Sequence, residues 1–224
     1  MNFDFLSDPR YHIWSAFWMT IKLTLLAGAG SLIWGTILAA MRVGPIPLMR
    51  AFGTGYVNIV RNIPVTVIIV ASSVVLADTL NVEFSDNINT NAFYLAVLGF
   101  IAYTSTFVCE SLRSGINTVP PGQAEAARAI GLTFVQNLRI IVLPQAFRAV
   151  IAPLASVLIA LTKNTTVAAS IGVAEAALLM SEMVENEGNA LMSVFAVFAL
   201  GFIVLTLPVG LLLGRLAKRL AVKR

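Results

Sequence analysis

GQAEAARAIGLTFVQNLRIIVLPQA, residues 122–146, carries charge, helix-forming alanines, a glycine and a proline in the middle of a chain that is otherwise close to solid hydrocarbon. Pro120 and Pro121 can open a helix at its first turn, Gln123 to Ile130 are mostly strong helix formers, and Gly131 can end the helix in a left-handed cap. Ala124, Ala127 and Ile130 then form a small apolar face that fits a groove on another protein. Glu125 and Arg128, at i,i+3, are either a local pair or partner contacts. Composition alone favours a solvated loop helix.

The surroundings explain why such a helix is unusual. The 224 residues are 58% hydrophobic and 12% charged, with mean hydropathy +0.87, far outside the range of a soluble domain. One cysteine, Cys109, and one histidine, His12, leave no disulfide framework and no metal-ligating set. The net charge of +4 does not suggest nucleic acid. Asp4 and Asp8 precede the first apolar run where a cleaved signal peptide would be basic, so that run is expected to stay as a span.

A helix needs roughly 20 apolar residues to cross a bilayer. By that measure the uncharged stretches 23–41, 62–77, 87–109 and 188–214 are expected as spans, the second of them short, and a fifth, broken span starts near Ile140, contains Pro144 and Pro153, meets Lys163 and runs on to Ala174. The expectation is an all-α integral membrane protein, a single domain over residues 1–224, with five crossings and its two ends on opposite sides. With the N-terminus outside, Arg42, Arg50, Arg61, Arg113, Arg128, Arg139, Arg148, Arg215, Lys218, Arg219, Lys223 and Arg224 fall on the cytoplasmic side with only Glu110 and Glu125 as acids. Asp4, Asp8, Asp78, Glu83, Asp86, Glu175, Glu182, Glu185 and Glu187 fall outside with Arg10 and a snorkelling Lys22. That asymmetry obeys the positive-inside rule and selects N-outside, C-inside. Ala27, Ser31, Gly35 and Ala39, every fourth residue, give the first span a face that another backbone can approach, and Gly210 and Gly214 are expected to do the same in the last.

On this topology the loop helix is cytoplasmic, and its spacing is informative. Glu125-Ala126-Ala127, then Gly131, then Ile141, Leu143 and Pro144 match the EAA loop of bacterial ABC importer permeases at every position of that pattern. The resemblance extends over most of the chain and narrows to the polar amino acid branch. YVNIVRNIP, residues 56–64, looks like that branch's segment ending Arg-Gly-Thr-Pro, with Asn62 and Ile63 as departures. FVCESLRSGI, residues 107–116, resembles its aromatic-x-Ala-Glu-x-x-Arg-Gly-Gly-Ile, with Cys109 and Ser114 departing. KNTTV, residues 163–167, stands where the family usually reads Lys-Asp-Thr-Ser-Leu.

The resemblance implies a type I ABC importer permease in the bacterial cytoplasmic membrane, paired with a second permease, the same chain or a different one. It also implies a cytoplasmic ATPase dimer beneath and an extracytoplasmic amino acid-binding protein above. No cofactor is expected on this chain, since no G-x-x-x-x-G-K-[ST] phosphate cradle occurs in it; ATP and magnesium would sit on the ATPase, and no catalytic residue is expected here. Glu125, Ala126, Ala127, Arg128 and Gly131, in a loop at about 117–138, become the ATPase-coupling residues. A secondary transporter is disfavoured because the only acid near a span is Glu110, paired structurally with Arg113 at the inner rim. A membrane scaffold would give no reason for the EAA spacing.

Polar side chains facing the bundle are the candidate substrate contacts: Thr106, with Thr104 and Ser105, and Lys163, Asn164, Thr165 and Thr166. Lys163 lies fifteen residues beyond Arg148, about 22 Å along a helix, where it either snorkels outward or meets substrate. Thr165 and Thr166 are expected to cap a new helix through Ala168 and Ala169 whose positive end faces the lysine. Asn164 in place of aspartate leaves the site more cationic. Glutamate or aspartate is therefore favoured over glutamine, arginine or histidine.

Overall fold

The structure is a computed structural model that describes residues 3–220, and among these no strand occurs. After a short 3₁₀ turn the helices run α1 (Ile13–Val43), α2 (Pro47–Val60), α3 (Val65–Ala71), α4 (Ile88–Asn117), α5 (Pro121–Ala129), α6 (Phe134–Asn137), α7 (Leu143–Asn164), α8 (Ala176–Asn186) and α9 (Leu191–Leu220). Four stretches, Ile13–Val43, Ile88–Asn117, Phe134–Ile171 and Gly188–Leu216, are long and apolar enough to cross a membrane, and a bent pair of helices can supply a fifth crossing. Lys223 and Arg224, counted above with the cytoplasmic charges, lie outside the described residues.

The bend is not where the sequence suggests. Pro47–Val60 and Val65–Thr79 meet at 104°, because Pro64 has no N–H to continue the ladder and biases Ile63 away from helix. The second half, ending in a π-helical stretch Ser72–Thr79, covers only about 22 Å at the helical rise. The proline-rich span from near Ile140, expected to be broken, is instead one α-helix from Leu143 to Asn164 that passes into a 3₁₀ turn only after Lys163. Pro144 lies in its first turn, where a missing N–H costs nothing, and Pro153 lies within it.

Small residues decide how the rods pack. Ala27, Ser31, Gly35 and Ala39 are all buried, and α1 crosses α4 so closely that a Cβ on Gly30 would lie 2.3 Å from Ile101 and one on Gly35 2.6 Å from Val108 and 2.8 Å from the Ser105 carbonyl. Gly115 of α4 meets α7 in the same way, 2.1 Å from a Val150 methyl. Gly201 of α9 receives the ring of Phe17, which also stacks on Phe198 at 5.6 Å. Of the last glycine pair only Gly210 packs, against Ile159. Gly214 has nothing within 4 Å, so its expected packing role is corrected. Leu25, Ile33, Val204 and Leu212 are exposed, which suits a lipid-facing surface.

The end of the bundle away from α5 is closed by α8. Glu175 is fully buried and caps α8 by accepting from the N–H groups of Ala177 and Leu178 at 2.9 and 3.0 Å. The hydroxyl of Thr20 sits 3.4 Å from its other oxygen. Burial pushes this carboxyl above the ordinary glutamate range, and the three donors oppose the rise.

The close α1–α4 approach is testable. Gly35→Ala should force the helices apart and lower thermal stability of the purified protein by ~1–3 kcal/mol. Gly214→Ala, with open space around it, should leave the melting temperature unchanged.

Candidate functional site

Two features carry the polar groups that the fold does not consume: a cleft between α4 and α7, and the α5 loop. The cleft, 350 Å³ in volume, is lined by Tyr103, Thr104, Phe107, Ser156, Val157, Ala160, Leu161 and Asn164. A larger hollow of 920 Å³ lies between α1 and α9, but its walls are largely apolar and rimmed by the exposed Trp14 and Trp18, as befits a groove open to lipid.

Helical geometry sorts the candidate residues. Tyr103 and Phe107 are four apart on α4, Ser156, Ala160 and Asn164 four apart on α7, so each set forms one wall. Within the Thr104–Ser105–Thr106 run, Ser105 and Thr106 donate back to the Ala102 and Tyr103 carbonyls. Both are turned into helix packing with no exposure. Thr104 alone lines the cleft, and among the described residues its hydroxyl has no hydrogen-bond partner. Thr106, the member singled out from the sequence, is therefore replaced by Thr104. Only the direction of each side chain around α4, set by packing, separates the two.

Asn164 lines the cleft, and among the described residues its amide has no hydrogen-bond partner. Lys163 is not a lining residue. It is exposed on the stripe Ala152, Ser156, Ala160 and Lys163, at the level of Asn164 but turned out of the cleft, with no ion pair among the described residues. Thr165 is fully buried and donates to the Thr162 carbonyl at 2.7 Å, and Thr166 donates to Lys163 at 2.8 Å. The expected new helix start is corrected: Thr165–Ile171 continues α7 as a 3₁₀ turn, its hydroxyls back-bond instead of capping, and the next α-helix starts at Ala176 under Glu175. The segment after Lys163 therefore presents no α-helix N-terminus to it.

The α5 loop is built to be rigid. After Ala129 the chain closes a Schellman turn, Leu132 N–H to Ala127 carbonyl at 3.1 Å and Gly131 N–H to Arg128 carbonyl at 2.9 Å, with Gly131 at φ +90°. Thr133 and Gln136 then form a capping box for α6. Asn137 donates to the Ala124 carbonyl at 2.9 Å and Gln145 to the side chain of Gln123 at 2.7 Å. The first turn of α5 is thus tied to α6 and to the root of α7, a linkage the sequence did not reveal because Asn137 and Gln145 read there as ordinary loop polarity. Ala127 is buried against this root. Glu125, Ala126 and Arg128 are exposed, and neither charge is paired among the described residues, which removes the local-pair reading and leaves both free for a partner. A cleft of 470 Å³, with Ala126, Ile130, Leu132 and Ile141 among its lining residues, runs beside them.

At the α5 end of α4, Glu110 pairs with Arg113 at 3.8 Å as expected. It is also met by Arg42 from the end of α1 and by Arg61 from the end of α2 at 3.8 Å. Sequence distance hid both.

Comparison with known proteins follows the same lines. The family model described as "Binding-protein-dependent transport system inner membrane component" matches residues 14–222. The chain is 56% identical over 214 residues to the glutamate transport system permease protein GluC of Corynebacterium glutamicum, covering 93% of this chain and 94% of that one. It is 32% identical over 222 residues to the probable glutamine ABC transporter permease protein GlnM of Bacillus subtilis, covering 98% of each. It superposes on the crystal structure of an amino acid ABC transporter with histidines with TM-score 0.82 at 26% identity, covering 98% of this chain and 100% of that chain.

Because nothing lies within 4 Å of a Cβ on Gly131, its replacement tests backbone strain alone. Gly131→Ala should speed hydrogen exchange of amides 127–132 roughly tenfold, or about 1.4 kcal/mol of local opening, while global melting stays unchanged.

Proposed function

The chain belongs to the family of binding-protein-dependent transport system inner membrane components, and from that premise we propose that it is the permease subunit of an ATP-driven ABC importer carrying glutamate or aspartate into a bacterial cell. The observation that carries the substrate is the 56% identity to the Corynebacterium glutamicum glutamate permease over almost the whole chain. The more distant relative named for glutamine makes that amino acid the principal competitor.

In this reading the protein crosses the cytoplasmic membrane with its N-terminus outside, so that α5 faces the cytoplasm. Its partners are an ATPase dimer, a second permease and an extracytoplasmic binding protein. ATP and magnesium belong to the ATPase, and this chain needs no cofactor or metal. Glu125, Ala126, Ala127, Arg128 and Gly131 form the contact with the ATPase. Unpaired charge on the exposed face of α5 supports that assignment, since a docking helix needs groups its own fold has not used.

The work done on α5 has a direct route to the substrate. Hydrogen bonds from Asn137 and Gln145 fasten α5 to the root of α7, and α7 is continuous to Asn164. A displacement of α5 by nucleotide-driven closure therefore moves the far end of α7, which carries Asn164 in the cleft and Lys163 at its rim. Thr104 and Asn164 offer uncommitted hydrogen-bonding groups, and Lys163 offers the charge that a second carboxylate would seek. The stripe of small exposed residues leading to Lys163 suits close approach of the second permease, which would complete the cleft.

Reconstituted with its ATPase, partner permease and binding protein, the wild type should take up labelled glutamate only with ATP. Lys163→Gln should reduce that uptake by about tenfold through the loss of one charge-assisted contact, and Asn164→Asp by a similar factor through repulsion between the new carboxylate and the substrate's own. Uptake of glutamine or arginine with no response to glutamate overturns the substrate. Orientation is checked by an impermeant thiol reagent: Asn186→Cys should label in intact cells and Gly122→Cys only after permeabilisation, and the opposite pattern inverts the topology.

A further inference from the structure

Glu110 is surrounded by more positive charge than it can neutralise. Arg42 takes one carboxylate oxygen in a close contact and has only 6% of its side chain exposed. Arg61 and Arg113 lie at 3.8 Å, beyond hydrogen-bond distance, and are nearly half exposed at 46% and 43%. Neither has a side-chain hydrogen bond among the described residues. One carboxylate thus faces three guanidinium groups, leaving two positive charges and a set of idle N–H donors at a partly open surface.

The location gives this excess a use. Tyr103, Phe107 and Glu110 are at i, i+4 and i+7 on α4, one stripe of the helix. The first two line the cleft, and Glu110 lies one turn nearer the α5 end. Arg61 is placed there as the C-cap of α2, where the chain begins its 104° bend, and Arg113 by the next turn of α4. A small anion leaving the cleft along α4 toward the α5 end meets these two arginines next.

We propose that Arg61 and Arg113, held in place by Glu110 and Arg42, form a second substrate station on the cytoplasmic side of the cleft, which binds a carboxylate of the departing acidic amino acid. Glu110 and Arg42 are positioning residues: their pair anchors the cluster to α1 and keeps the two exposed guanidiniums apart, so that an oxyanion is held between them. Bidentate, planar donors suit a carboxylate better than a single ammonium would. The station biases an anion to enter from the cleft and leaves it half exposed to water for release. It also binds product from the cytoplasmic side. The inference rests on the glutamate-importer reading of the chain.

Product binding supplies the test. Proteoliposomes containing the complete complex are loaded on the ATPase side with unlabelled glutamate or with glutamine, and the initial rate of ATP-driven uptake of labelled glutamate is expressed relative to the same vesicles without internal amino acid. Internal glutamate should cut the wild-type rate to about half once its concentration reaches the dissociation constant of the station, while internal glutamine should have no effect. The Arg61→Gln/Arg113→Gln variant should lose the inhibition, and Arg61→Lys/Arg113→Lys should retain part of it; the ratio corrects for any change in each variant's own rate. Vesicles of purely zwitterionic lipid are compared with vesicles rich in anionic lipid to separate a free carboxylate from a lipid phosphate. Uptake that is indifferent to internal glutamate, equal inhibition by glutamine, inhibition unchanged in the double glutamine variant, or inhibition abolished by anionic lipid each overturns the station and leaves the importer intact. Absence of ATP-driven glutamate uptake in the wild type overturns the importer reading and the station with it.

Discussion

In hydrocarbon a backbone N–H or C=O finds no water, so each must be paired within its own segment, and the chain becomes a set of helical rods. Rods of equal apolarity gain little from leaving lipid. They associate where their backbones can approach, and in this protein those places are few and specific: Gly30 and Gly35 of α1 on α4, Gly115 of α4 on α7, and Gly201 of α9 on Phe17. Each forbids even a methyl group without displacement of a neighbour, so the crossing points are fixed to a fraction of a helical turn. The position of every polar side chain in the membrane follows from those crossings.

A transporter also has to move, and the stiffness is distributed accordingly. The α5 loop spends polar side chains on holding itself to α7: Asn137 on Ala124, Gln145 on Gln123, Thr133 with Gln136. It leaves Glu125 and Arg128 exposed and without a partner among the described residues. The joint between the loop and the bundle is therefore tighter than the loop's contact with water, and a partner that pulls on α5 pulls on α7. The same economy appears in the cleft, where Ser105 and Thr106 satisfy themselves within α4 and Thr104 does not. Groups that the fold consumes cannot serve a ligand, and groups that it leaves idle are the ones positioned for it.

Much of this was legible in one dimension because it depends on local rules. Hydrocarbon content and span length require a helical membrane protein with about five crossings, and the spacing of Glu125, Ala126, Ala127, Gly131, Ile141, Leu143 and Pro144 identifies an ABC importer permease, as the family match across residues 14–222 shows. The left-handed Gly131 and the small-residue face of α1 followed from composition at fixed spacing. Proline misled where its tertiary setting differs: Pro153 lies inside an unbroken helix, whereas Pro64, with the residues before it, turns the chain through 104°.

What the sequence by itself determined is the kind of object: helices of membrane length, a loop helix between two of them, and a family. What only the tertiary structure decided is the direction in which each side chain points and which distant residues meet. Thr104 and Thr106, both buried, are indistinguishable until the packing of α4 turns one to the wall of the cleft and the other away from it. Arg42 and Glu110, 68 residues apart, become partners because α1 and α4 cross there. The reason is physical: intrahelical hydrogen bonds depend on neighbours within four residues, so the presence of a helix is a local property. The rotation of a helix about its own axis depends on steric contact with rods from elsewhere in the chain, and no local pattern carries that contact.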